Sequence, residues 1–278
     1  MPIGFMKTLM HRPMHRRFSL WNAAAPVAAI ALALALPAQA AGLCSAPWVH
    51  DGSRVRLDGN GKTPMIVEFT LHDVSHDMQD GCEIGLHIYA KSGLVALGGR
   101  PIETVQEHQL LVDEAGVVTR IVSINGRVFA QSEHADLVGT VSTAISGMFL
   151  YGAGLAPEAQ MLPGDTYESS FDFDVVSPRL GISVGRMRAE RAKVEVSERE
   201  VGPPQSMNTV VGQLQCRPIR YTRTARLGVL RLGNETLEPD PTVAHITDWY
   251  CPEAAVVMRQ EVEQHGQTQV IDVVELKR

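Results

Sequence analysis

Aromatic side chains make up only 5% of this 278-residue sequence, and several signatures of catalysis are missing. No H-E-x-x-H occurs, so the helical pair of imidazoles that binds zinc in metalloproteases is excluded. No serine stands three residues before any lysine beyond residue 40, which excludes the S-x-x-K nucleophile. Gly61-Lys62-Thr63 ends like a phosphate-binding loop, but Arg56 stands where that loop needs glycine. C-x-x-C is absent, and with it the thiol-oxidoreductase and zinc-ribbon classes. No segment repeats at a period of roughly 20–50 residues.

Acidic residues are missing from the first 40 positions, where Lys7, Arg12, Arg16 and Arg17 carry all the formal charge. A 14-residue apolar run over positions 23–36 follows, Pro37 ends it, and Ala38-Gln39-Ala40 gives the small-x-small pattern that a signal peptidase cuts. Spanning a bilayer needs roughly 20 apolar residues, and this run is shorter and contains Pro26. Leu43 directly before Cys44 argues against lipoprotein processing. The expectation is a signal peptide over residues 1–40, then a single β-rich periplasmic domain over 41–278 with one candidate subdivision near 202–208. The exported part keeps 21 Lys and Arg against 31 Asp and Glu, a net charge near −10. Such a surface repels phosphate backbones and anionic lipid headgroups, so nucleic acid is not an expected partner and a lipopolysaccharide carrier is disfavoured.

All four cysteines, Cys44, Cys82, Cys216 and Cys251, lie in the exported part. An even count in an oxidising compartment reads as disulfides, with three connectivities open. Nearest-neighbour pairing would close two loops of about 35 residues, worth ~3–4 kcal/mol each by chain entropy.

Hydrophobic alternation with a period of two dominates the rest. Val67, Phe69 and Leu71 share one face of a strand over residues 66–71, and Ile84, Leu86 and Ile88 share one over 83–89. Tyr167, Ser169, Phe171, Phe173 and Val175 oppose Glu168, Ser170, Asp172 and Asp174 in the cleanest half-buried strand. Asn125-Gly126 between two apolar runs predicts a hairpin turn over residues 117–130. Leu137, Val141, Ala144, Ile145, Met148 and Phe149 fall at helical spacing, predicting one amphipathic helix over 136–151. Residues 72–81 read as a polar loop, and Gly202-Pro203-Pro204-Gln205-Ser206 as the only linker. The fold class expected is mainly β: a strongly curved antiparallel sheet, half-open barrel or β-spiral, with one central helix.

The metal-ligand candidate is His72-Asp73-x-x-His76-Asp77-x-x-Asp80. On a helix, His72 and His76 could share one ion with Asp77 nearby; on an extended strand they would stand ~13 Å apart. The competing reading is a solvated polar loop. Arg186-x-Arg188-x-x-Arg191-x-Lys193 is the most basic stretch beyond residue 40. It reads as a docking patch for a carboxylate-rich partner or as an exposed strand face.

Toward the C-terminus, Cys216-Arg217-Pro218-Ile219-Arg220-Tyr221, then Asp248-Trp249-Tyr250-Cys251-Pro252-Glu253, then Val257-Met258-Arg259-Gln260-Glu261 resemble a group of uncharacterised periplasmic proteins with a C-terminal WY-x-P motif. Leu162-Pro163-Gly164-Asp165, ahead of a strand, is similar to them as well. The resemblance implies a fold like the half-open barrel of the LolA and LppX lipoprotein carriers or the β-spiral of EipB-like envelope-integrity proteins. It carries no catalytic residues and no cofactor. The function it implies is non-catalytic: binding an apolar small molecule or lipid, or an envelope protein, in support of envelope integrity. Phe69, Ile84, Leu86, Phe171, Phe173 and Trp249 are the residues expected to line the concavity. A metal-dependent hydrolase acting on envelope polymers and a scaffold with a filled interior are the alternatives.

Overall fold

The computed structural model describes residues 42–278 apart from 62–64, 78–80, 94–100, 115, 132–134, 144–150, 152–154, 156–159 and 233, with backbone alone at 77, 93, 101, 123–125, 142, 143, 190, 191 and 232. The expected signal peptide lies outside the described residues. These belong to one compact unit, Ala38–Arg278.

Why this chain forms strands is visible in its burial. In β1 (Arg54–Asn60) and β2 (Met65–Asp77), Val55, Leu57, Val67, Phe69 and Leu71 are buried, while Arg54, Arg56, Glu68 and Thr70 between them are not. Cross-strand register keeps that alternation in phase, because Val55 faces Phe69 and Leu57 faces Val67. A slip by one residue would turn every apolar side chain to water. The remaining strands are β3 (Gly81–Gly93), β4 (Pro101–Val112), β5 (Val118–Gln131), β6 (Asp136–Thr143), β7 (Gln160–Leu162), β8 (Asp165–Val176), β9 (Ser183–Val196), β10 (Arg199–Val201), β11 (Gln205–Thr209), β12 (Gly212–Arg226), β13 (Leu230–Leu232), β14 (Glu235–Leu237), β15 (Thr242–Cys251), β16 (Val256–Gln264) and β17 (Gln267–Lys277).

Twelve of them close into an antiparallel barrel: β1 to β6 in sequence, then β8, β9, β12, β15, β16 and β17, with β17 returning to β1. The sheet is therefore closed rather than half-open. Closure pairs the edges that an open spiral would leave unpaired. The short strands lengthen the wall. β10 and β11 continue β9 along the same edge of β12, pairing Val201 with Ile219 and Gln205 with Cys216. Gly202, Pro203 and Pro204 are thus a break within one long hairpin arm.

Three sequence expectations are corrected. Residues 136–143 are strand β6, with Val141 opposite Phe171, and no α-helix occurs among the described residues. Leu137, Val141 and Ile145 are four apart, and four is a multiple of the strand period as well as close to a helical turn. β-Branched Val138, Thr140 and Val141 and the strand neighbours on both sides decide for β. The rest of the predicted helix, 144–150, lies outside the described residues.

Asn125-Gly126 makes no turn, because β5 runs straight through it. The register passes from His108–Ser123 to Glu107–Asn125, leaving Ile124 as an extra residue in a bulge. Gly126 serves close approach instead: a Cβ there would sit 2.1 Å from the carbonyl oxygen of Val141. The polar loop at 72–81 is likewise strand as far as Asp77, interrupted by a bulge between His72 and Ser75 where Asp73 takes a positive φ of 49°.

Disulfides join Cys44 to Cys82 and Cys216 to Cys251, so every cysteine is paired. The first ties the segment before β1 to the start of β3, where Trp48 also donates its indole N–H to the carbonyl of Ala254 at 2.6 Å. The second links β12 and β15 next to the Arg217–Tyr250 pair.

Candidate functional site

Following the register around the ring assigns one face of every barrel strand to the interior. That face carries Val55, Leu57, Phe69, Ile84, Leu86, Ile88, Leu110, Ile219, Ile271 and Val273, which form a contiguous buried core with their neighbours. The outer face carries ion pairs, Lys91–Glu103, Arg259–Asp272 and Arg56–Asp58 among them, with exposed apolar side chains such as Phe129 and Val138 between, and has no continuous apolar band among the described residues. This polarity is the reverse of a membrane-spanning barrel, whose apolar band faces lipid. No helix among the described residues is long and apolar enough to cross a membrane.

Inside the apolar core sits a carboxylate. Asp248 on β15 is 0% exposed. Its Oδ2 accepts from the hydroxyls of Tyr151 at 2.6 Å and Tyr221 at 3.0 Å, and its Oδ1 accepts from Nε2 of Gln260 at 2.8 Å. Strand register brings three of these together: Asp248 lies opposite Gln260 on β16 and opposite Ile219, two residues from Tyr221, on β12. Tyr151 comes from the segment between β6 and β7. Burial pushes the Asp248 carboxyl up to about 6, against the pull of its three donors. Tyr151 and Tyr221 are raised chiefly by burial and then by the adjacent carboxylate. Arg199 lies over the Tyr221 ring, 5.8 Å from its centre. Both oxygens of Asp248 are hydrogen-bonded, as in a structural network. Tyr250 differs. It is 1% exposed, its ring meets that of Tyr151 edge-on at 5.5 Å, and its hydroxyl has no hydrogen-bond partner among the described residues.

The interior is not packed equally all round. On β6, β8 and β9 the inward residues Leu137, Val141, Phe171, Phe173, Val175 and Met187 are only half-buried. Phe171 and Phe173 stack with centroids 4.9 Å apart. Of the residues expected to line a concavity, Phe69, Ile84 and Leu86 lie within the filled core, whereas Phe171 and Phe173 form this half-open wall. Trp249 does not join them. Strand alternation turns it to the face of β15 opposite Asp248, where its indole N–H donates to Oε1 of Glu261 at 3.0 Å.

The histidine candidates separate. His72 and His76 both lie in β2, opposite Gly85 and Cys82 respectively, and the side chain of Asp77 is outside the described residues. His72 instead reaches across β3. Gly85 opens the path, since a Cβ there would lie 2.4 Å from the imidazole. His72 Nδ1 bonds Oδ2 of Asp73 at 2.8 Å, Nε2 meets Oε2 of Glu107 at 3.3 Å, and Nδ1 of His87 bonds the other oxygen of Glu107 at 2.5 Å. No group of three His, Cys, Asp or Glu among the described residues is arranged to hold a metal ion. The hydrogen bond to Asp73 raises the His72 pKa, Glu107 adds to it, and partial burial opposes both. Asp73→Asn is therefore expected to lower the His72 titration midpoint, read by NMR, more than Glu107→Gln does. Equal midpoints in all three proteins would refute the arrangement.

One nucleophile motif that the sequence analysis passes over is legible by its spacing. Residues 181–185 spell G-x-S-x-G around Ser183. A nucleophile elbow needs a strand-to-helix turn with the serine at its apex. Here the residues open β9 on the far side of a hairpin, and Ser183 Oγ donates to the carbonyl of Gly185 at 3.2 Å.

No family model matches the chain, and no curated protein does. Among solved structures it is similar to a candidate lipoprotein from Parabacteroides distasonis ATCC 8503, at 11% identity and a TM-score of 0.41, over 82% of this chain and 96% of that one. It is also similar to a candidate exported protein with a YmcC-like fold from Bacteroides fragilis NCTC 9343, at 12% identity and a TM-score of 0.34, over 82% and 97%. Neither likeness is close enough to bear on what this chain does.

Proposed function

We propose that this is an exported, non-catalytic protein of the periplasm that holds an apolar or amphipathic ligand in its barrel and so supports the cell envelope. One observation carries the reading: the Phe171–Phe173 wall, apolar and inward-facing, is left half-buried inside a closed ring. About eight strands make a barrel that side chains alone can fill, and twelve make a wider one. The Tyr250 hydroxyl, without a partner among the described residues, favours an amphipathic occupant, because an unmet buried donor costs roughly 1–3 kcal/mol. Two buried or half-buried disulfides suit an oxidising compartment, as does the signal-peptide pattern of residues 1–40. The resemblance of the C-terminal motifs to periplasmic envelope proteins supports the same setting.

Native mass spectrometry of protein purified from periplasm without detergent tests it. The expected result is a mass above that of the bare chain, lost on extraction with organic solvent and lost in a Phe171→Ser/Phe173→Ser variant that still folds by circular dichroism. A native mass equal to the bare chain would sink the ligand reading and leave a scaffold. Extra mass removed only by chelator would replace it with a metal-dependent role.

A further inference from the structure

The end of the β8–β9 hairpin gathers exposed aliphatic side chains among arginines. Leu180, Ile182 and Val184 stand 69%, 55% and 61% exposed within five residues. Single exposed aliphatics are ordinary on a protein surface, but three within five residues at one hairpin end are not. The surrounding charge is also atypical. In a chain with an acidic balance, residues 177–188 contain no Asp or Glu and three arginines, Arg179, Arg186 and Arg188. Arg188 lies directly opposite Arg231 in the β9–β13 register, a like-charge pairing that is unfavourable by itself. Asp172, on β8, bonds both Arg186 and Arg188, and Asp174 is the other carboxylate in this part of β8. Arg179 stands at the tip itself.

We propose that this tip docks the protein onto an anionic phospholipid bilayer. The aliphatic side chains enter the interface, and Arg179, Arg186, Arg188 and Arg231 meet the phosphates. Area argues against a protein partner. A stable protein interface buries roughly 800 Å² on each side, and three side chains on one turn supply only a fraction of that. The backbone suits insertion, since polar groups in an apolar medium must pair among themselves. Ser177 N–H donates to the carbonyl of Ile182 at 2.9 Å and Gly181 N–H to that of Ser177 at 2.8 Å, closing the turn, with Gly181 at φ +65°. The net acidity of the chain opposes binding elsewhere on its surface and orients the approach. The fold contains its own control. Val210 and Val211, 50% and 47% exposed at the β11–β12 tip, lie at the other end of the barrel in a stretch, residues 205–215, that carries no charge.

The proposal stands apart from the ligand reading, because it needs no occupant in the barrel. The test is flotation of the purified protein with phosphatidylcholine vesicles made with or without phosphatidylglycerol. Binding is expected only where phosphatidylglycerol is present, and to weaken as salt is raised. Leu180→Ser/Ile182→Ser should weaken it by roughly tenfold or more, and Arg179→Glu by about fivefold or more. Val210→Ser/Val211→Ser should leave it unchanged. Melting curves check that each variant folds, which the exposure of these positions favours. Absence of vesicle binding, equal binding to both vesicle types, or tip variants that bind like the parent would overturn the proposal. So would a dimer in size-exclusion chromatography that the tip variants abolish, which would give the tip to a second copy of the chain.

Discussion

Replacing Cys216 and Cys251 together by alanine lowers the stability of the fold by about 3–4 kcal/mol. The two are 35 residues apart, and closing a loop of that size in the unfolded chain removes about that much conformational freedom. The folded side of the balance adds to the loss. Both cysteines are 0% exposed, so two sulfur atoms leave a packed site that alanine does not refill. The link also sits where the β12–β15 pairing begins, beside the Arg217–Tyr250 pair. β12 holds β15 and β9 into the ring as well as carrying β10 and β11. A denaturant titration of the parent and the double variant reads the difference as a shift in midpoint at unchanged slope. Coincident curves would mean that the cross-link contributes nothing. A fall in slope would mean that the ring no longer unfolds as one unit.

Asp248→Ala is the second large effect, expected at roughly 3–5 kcal/mol. It leaves the hydroxyls of Tyr151 and Tyr221 and the amide of Gln260 facing a space without an acceptor. Each stranded buried donor costs about 1–3 kcal/mol, partly relieved where a side chain can turn away. The pH dependence separates this carboxylate from an ordinary buried side chain. Burial raises the Asp248 pKa from 3.8 to about 6, so the folded state binds this proton more tightly than the unfolded chain does. Stability from this group is therefore greatest below its unfolded pKa and falls as pH rises through about 6, by ~3 kcal/mol at the outside. Glu107, Asp172 and Glu275 have lowered values, so their contributions are lost only as pH falls further. Burial lowers the His108 pKa, so that group gains stability as pH rises toward its unfolded value and opposes the decline. The Asp248 part is the difference between the parent and Asp248→Asn from the ordinary carboxylate value to about 6. Parallel stability–pH profiles for the parent and Asp248→Asn across that interval would show that the carboxylate is not raised.

The alternation of β2, β3 and β8 was legible because period two is a property of neighbouring residues. Val67, Phe69 and Leu71, and again Phe171 and Phe173, share faces whatever they pair with. Residues 136–143 misled for the same reason turned round. Spacing by four satisfies both strand and helix, and only the flanking β5 and β8 resolve it. Asn125-Gly126 has the chemistry of a turn, but Glu107 and Val105 across the ladder from Asn125 and Arg127 keep the chain extended. The histidine cluster was half visible. His72 could be picked out, whereas its partners His87 and Glu107 come from other strands and show no spacing to it. Asp248 was seen only as part of a C-terminal motif, since nothing next to it in sequence shows that it is buried.

By itself, then, the sequence determined the strand character, the exportable leader pattern, the paired chemistry of its cysteines and the absence of most catalytic motifs. Each of these is a local or compositional property. Only the tertiary structure decided that the sheet closes and that Asp248 gathers Tyr151, Tyr221 and Gln260 from three separate segments. It alone left Phe171 and Phe173 half-covered, and raised Leu180, Ile182 and Val184 clear of the wall. These depend on which strand lies beside which, and register between distant segments is fixed by burying all the inward faces at once.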